Sequence, residues 1–208
     1  MDSSFLTWTN IGLGLFSGIL FLKMIVQFGL SNHPARFTCY VVALCATSFF
    51  CLKAATGLAW VSPWDWMKWR SLPMVAGSLA LLMQTIMTVG KMSLVQKKVI
   101  SRLPLIGGLV CLSFFPTRAD AFYGAALIAS CLFLTVSVGR ARYQKRMILK
   151  MCLFILGFWL CKFANEYWVF IIGELMLFPA LFYFFLFQQS FAITSLVQDL
   201  RQTDGEVK

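Results

Sequence analysis

The sequence predicts an all-α polytopic membrane protein, a single bundle of seven transmembrane helices with its N-terminus outside and its C-terminus in the cytoplasm. Three observations lead there. Of the 208 residues, 60% are hydrophobic and only 12% charged, with a mean hydropathy of +0.79. A water-soluble domain of that size has too little interior to hide so much apolar surface. The apolar residues fall into seven stretches near the roughly 20 residues that a helix needs to cross the hydrocarbon core. The basic residues alternate between successive connections, as the positive-inside rule requires.

The first stretch covers about residues 6–30. It follows Met1-Asp2-Ser3-Ser4-Phe5, which lacks the basic segment and small-residue cleavage site of a secretory signal, so it is expected to remain as a span. Gly14-x-x-x-Gly18 inside it forms a small-residue face where another helix, of this chain or of a second one, can come close.

The second stretch covers about 37–58. After it, Ser62-Pro63-Trp64-Asp65 reads as an N-cap, a proline at the first helical position and an acid in the first turn. This predicts a short interfacial helix over about 63–70. The third stretch covers 72–90, with Pro73 at its start. The fourth, 99–115, is the shortest. Pro104 either starts it or kinks it, and Pro116 ends it. Thr117-Arg118-Ala119-Asp120 resembles a capping box, with Asp in place of Glu, opening the fifth stretch at 121–139. The sixth covers 147–163. The seventh covers 167–188 and is expected to kink at Pro179. Residues 198–208 form a cytoplasmic tail, and no soluble domain interrupts the chain.

Orientation follows from charge. One side of the predicted bundle carries Arg36, Lys91, Lys97, Lys98, Arg102, Arg140, Arg142, Lys145, Arg146, Arg201 and Lys208, which is eleven basic residues. The other carries Lys68, Arg70, Arg118 and Lys162, which is four. The richer side is cytoplasmic. The formal charge of +10 therefore points to topology and to anionic headgroups at the inner face, not to nucleic acid.

Several chemistries lack their residues. The seven cysteines lie in apolar stretches with no Cys-x-x-Cys, and His33 is the lone histidine, in a loop. No metal site or His-based catalysis is expected. There is no nucleophile-elbow, zincin or phosphate-loop sequence and no pair of embedded carboxylates. The expectation is no enzyme and no cofactor.

Three groups remain as candidates. Lys53, Lys162 and Glu174 all fall in the outer third of the predicted membrane, where ionisable residues are costly and mark function or a buried ion pair. Trp60, Trp64, Trp66 and Trp69 cluster in one outer connection, as an interfacial anchor or a docking surface. Finally, Cys51-Leu52-Lys53 and Gly77-Ser78-Leu79 echo Cys161-Lys162 and Gly173-Glu174-Leu175, in the manner of a three-plus-one-plus-three repeat.

Mid-span polar residues amount to little more than Gln84, Thr85, Thr88 and Ser113. That favours a non-enzymatic accessory, sensory or assembly subunit. It would bind a protein, lipid or small ligand in the bilayer and couple it to a cytoplasmic partner, or it would form a homo-oligomer. The alternative is a small-solute or ion transporter or channel using the outer charges. The basic inner loops fit a bacterial inner membrane.

Overall fold

The computed structural model describes residues 3–29, 33–89 and 92–137, together with the single positions 156, 169, 172, 173 and 193. Apart from those single positions, the expected sixth and seventh spans and the second half of the repeat lie outside the described residues, as do Pro179 and the tail. Every element of the described segments is helical: α1 (Ser3–Phe28), α2 (Pro34–Gly57), α3 (Pro63–Trp69), α4 (Ser71–Val89), α5 (Leu94–Phe114), one 3-10 turn (Pro116–Arg118) and α6 (Ala119–Ser137).

Two helices are each long and apolar enough to cross a bilayer. They are Thr7–Gln27 within α1, 21 residues, and α2, 24 residues, both with a mean hydropathy of 1.7. α5 differs, because every 18-residue stretch of it contains Lys97, Lys98 and Arg102. It meets the same test only together with the chain after Pro116, from which it is bent by 117°. The described residues therefore hold two or three candidate spans.

α5 also begins earlier than hydropathy predicts, at Leu94 and not near 99. The cause is local. Ser93 Oγ accepts from the Gln96 backbone N–H at 3.3 Å, and Gln96 Oε1 accepts from the Ser93 N–H at 3.0 Å. This reciprocal cap satisfies two donors at the helix start. Lys97, Lys98 and Arg102 consequently project from a helix, not from a loop. At its other end α5 stops one residue before Phe115, as Pro116 dictates. There the 3-10 turn takes up Thr117, so α6 opens at Ala119 without the expected Thr117 cap.

α1 and α2 pack antiparallel, with Thr7 against Gly57, Gly14 against Cys51 and Gly18 against Thr47. Leu13, Met24, Cys39, Ala43 and Phe50 are buried between them. α4 occupies the centre and packs against α2, α5 and α6. Val41, Val42, Met74, Leu81, Tyr123 and Leu127 fill the α2–α4–α6 junction, and Val75, Cys111 and Ala119 the α4–α5–α6 junction. Small residues permit the closest approach. A Cβ on Gly108 would lie 2.8 Å from Ala76 Cβ and 3.1 Å from the Leu72 carbonyl oxygen. Lipid tails are as apolar as leucine, so such packing and interhelical hydrogen bonds hold membrane helices together.

Candidate functional site

The described helices present two chemically different ends. α2 and α5 start at one end and α4 returns to it. α3 and the α5–α6 turn lie at the other.

The aromatic end is built by the way α2 stops. The Trp60 N–H donates to Ala55 O at 2.9 Å and the Ala59 N–H to Thr56 O at 3.1 Å. These are the paired bonds of a Schellman motif, and they put Ala59 in the left-handed region at φ +58°. The chain then turns into α3. Ser62 Oγ accepts from the Asp65 N–H at 3.1 Å and donates to Asp65 Oδ2 at 2.7 Å, with Pro63 at the first helical position.

A two-turn helix cannot point its three tryptophans, Trp64, Trp66 and Trp69, the same way. Trp60 and Trp64 stand 79% and 72% exposed, and Trp69 is also exposed, with Lys68 Nζ 6.0 Å from its ring. Trp66 turns inward instead, its ring 5.5 Å from that of Phe49 on α2. The Arg70 guanidinium lies 5.9 Å from the other partner of this stack, the Trp66 ring, and reaches Asp120 Oδ2 at 3.0 Å. Three tryptophans thus form a displayed surface, while the fourth fastens α3 to α2.

Lys53 is half-buried on α2, about one turn before the helix ends. Lys162 and Glu174 lie outside the described residues. By the α1–α2 register, Lys53 lies level with Ile11 and Gly12 of α1, with the buried Asn10 and Thr7 nearer the start of that helix. Neither stood out in the sequence, although Thr7-Trp8-Thr9-Asn10 is a polar run at the mouth of an apolar span. Gly14 and Gly18 face α2 of the same chain. A Cβ on Gly14 would meet Cys51 Sγ at 3.3 Å, and one on Gly18 would meet Thr47 Cγ2 at 3.6 Å.

Between the two ends, buried hydroxyls bond within their own helices. Ser17 donates to Leu13 O at 2.8 Å, Thr38 to Ala35 O at 2.9 Å, Thr85 to Leu82 O at 2.7 Å and Ser130 to Ala126 O at 2.7 Å. Gln84, 2% exposed, crosses from α4 to α2, where Nε2 lies 3.4 Å from Thr38 Oγ1 and 3.6 Å from Cys39 Sγ. Among the described residues, no three His, Cys, Asp or Glu side chains come together.

The opposite end is basic. Arg36 lies in the first turn of α2, Lys97 and Lys98 at the start of α5, and Arg102 one turn after Lys98. The Arg102 guanidinium stacks on Phe37, its carbon 3.9 Å from the ring centroid. The Tyr40 hydroxyl donates to Gly29 O and ties the end of α1 to α2. Compared with known proteins, the chain matches no family model, no curated protein and no solved structure.

Proposed function

We propose that this protein is a seven-span subunit of a bacterial inner membrane, N-terminus outside and C-terminus in the cytoplasm. In this reading it is a non-enzymatic accessory, sensory or assembly component. It binds a protein partner through its aromatic end and passes the effect to a cytoplasmic partner. The observation that carries the reading is where the polar chemistry goes. Buried hydroxyls of the described helices bond to carbonyls of their own helices, whereas Trp60, Trp64 and Trp69 are displayed at one end. An exposed Trp cluster offers large apolar area with a hydrogen-bond donor, the composition of interface anchors. The orientation is supported by the placement of Arg36, Lys97, Lys98 and Arg102 together at the opposite end.

Gentle extraction of the tagged chain, native mass spectrometry and proteomics on one eluate test the reading. A stoichiometric protein that is lost from the Trp60→Ala/Trp64→Ala/Trp69→Ala variant, while the chain stays monodisperse, supports it. A lone chain in every extract overturns it. Orientation is checked separately. A cysteine placed at Val61 should react with an impermeant maleimide from outside, and one at Ser93 only after permeabilisation.

The second reading, a transporter or channel, draws on the half-buried Lys53, about one turn or less from the level of the buried Asn10 and Thr7. Glu174→Gln should then abolish solute flux in vesicles. In the first reading it should lower only stability or partner binding.

A further inference from the structure

We infer that the basic end carries a site for one acidic phospholipid, between the starts of α2 and α5. This holds whether or not the chain has a protein partner. The argument begins with the distribution of charge. Asp65 and Asp120, the two carboxylates among the described residues, both belong to the aromatic end. The first turns of α2 and α5 contain no acid; Arg36, Lys97 and Lys98 lie there, and Arg102 lies one turn further along α5. Lys98 and Arg102, both exposed and one turn apart on α5, create a local positive field that favours an anion.

The shape of the site selects a lipid. Lys98 and Arg102 are four residues apart on α5, so they share one helix face. The Arg102 guanidinium carbon lies over the Phe37 ring, 3.9 Å from its centroid, and Phe37 is next in sequence to Arg36. A stacked guanidinium keeps its N–H edge available for a phosphate, and the aromatic ring holds it in place. Beyond these cations the same face of α5 continues as Leu105, Ile106 and Leu109, all exposed. A phosphate at Arg102 and Lys98 would therefore sit above an apolar track suited to an acyl chain. A free anion gains nothing from that track. A zwitterionic headgroup gains little from the cations, because it carries its own ammonium.

The test uses the full chain in detergent, with phosphatidylglycerol and phosphatidylcholine added in equal amounts and bound lipids counted by native mass spectrometry. One phosphatidylglycerol should be retained in preference to phosphatidylcholine, and Arg102→Gln should cut its occupancy about tenfold, the value of one charge-assisted hydrogen bond. Lys68→Gln, at the aromatic end, should change nothing. Arg102→Lys keeps the charge but loses the stacked fork, and its occupancy should fall between the two. It also serves if the Gln variant does not fold. Equal retention of both lipids, unchanged retention in Arg102→Lys and in a folded Arg102→Gln, or displacement of the lipid by millimolar inorganic phosphate would overturn the proposal. The partner reading does not share this outcome, since it is judged at the Trp surface.

Discussion

Arg70, between α3 and α4, and Asp120, in the first turn of α6, form an ion pair at 3.0 Å across fifty residues of sequence. Their side chains are 22% and 20% exposed, so water screens the pair only in part. It joins α3 and α6 at the point where the chain would otherwise be held by short turns. A double-mutant cycle with Arg70→Ala and Asp120→Ala, followed by denaturant titration in mixed micelles, should give a coupling of about 1 kcal/mol, at the upper end for exposed pairs. Each single variant should cost more than the coupling, because each leaves a half-buried charge. A coupling near zero would mean that the pair adds no stability.

Ala59 pays for its place at the end of α2. A left-handed backbone puts Cβ against the following carbonyl and costs roughly 1–2 kcal/mol in a residue other than glycine. Ala59→Gly removes that clash, offset by the greater freedom of glycine in the unfolded chain. The expected outcome is a gain of about 0.5–1 kcal/mol in the same titration, with helical content unchanged by circular dichroism.

Gly108 and Gly12 form a matched pair of probes. A Cβ at Gly108 would press on Ala76 and Leu72, whereas at Gly12 it would meet nothing within 4 Å. Gly108→Ala should destabilise the α4–α5 contact by about 1–3 kcal/mol, the usual cost of overpacking. Gly12→Ala should stay within about 0.5 kcal/mol of the parent. Similar losses at both positions would argue against the close α4–α5 approach.

Gln84 spans α4 and α2 with a long hydrogen bond to Thr38, 3.4 Å. Interhelical polar contacts in membranes average about 0.6 kcal/mol and rarely exceed about 1.7. Gln84→Leu should therefore cost less than about 1 kcal/mol, and the Thr38→Val background should reduce the difference, the Cys39 contact remaining. Thermal stability of the four variants in one detergent checks this.

Trp66 and Trp64 are two residues apart and should behave oppositely. Trp66→Ala removes the stack on Phe49, where an aromatic pair contributes about 0.5–1.5 kcal/mol beyond its buried area. Trp64→Ala should leave stability nearly unchanged. In brominated lipid, whose bromines quench nearby indoles, Trp64→Phe should reduce the quenchable fluorescence more than Trp66→Phe does.

The helices of the described segments were legible wherever hydropathy and punctuation agreed. α3 could be read from Ser62, Pro63 and Asp65, and the end of α5 from Pro116. α5 was misjudged at its start because Lys97 and Lys98 resemble a loop to any measure of apolarity, while the Ser93–Gln96 cap depends on hydrogen bonds, not on apolarity. The Trp cluster was visible as a cluster. Its division into three outward rings and one inward ring depends on Phe49, which sits on a different helix. Asp120 reads as a cap in sequence but turns to Arg70, a partner that only the tertiary arrangement supplies. Gly14 and Gly18 announce themselves by spacing. Gly108 follows directly on Gly107, and its importance comes from Ala76 on the facing helix.

The central place of α4 bears on how the chain enters the membrane. α1 and α2 are neighbours in sequence and in space, so they can leave the insertion machinery as a hairpin, with Thr7 already against Gly57 and Gly14 against Cys51. α4 emerges after α3 and meets α2 and α3, and its contacts with α5 and α6 come later. During that interval Gln84 has Thr38 as its anchor, while the Ala76 and Leu72 side of α4 stays uncovered. A ribosome stalled before residue 94 would thus leave a nascent chain half-assembled at its centre, the stage at which a membrane chaperone or a quality-control protease would find most to grip.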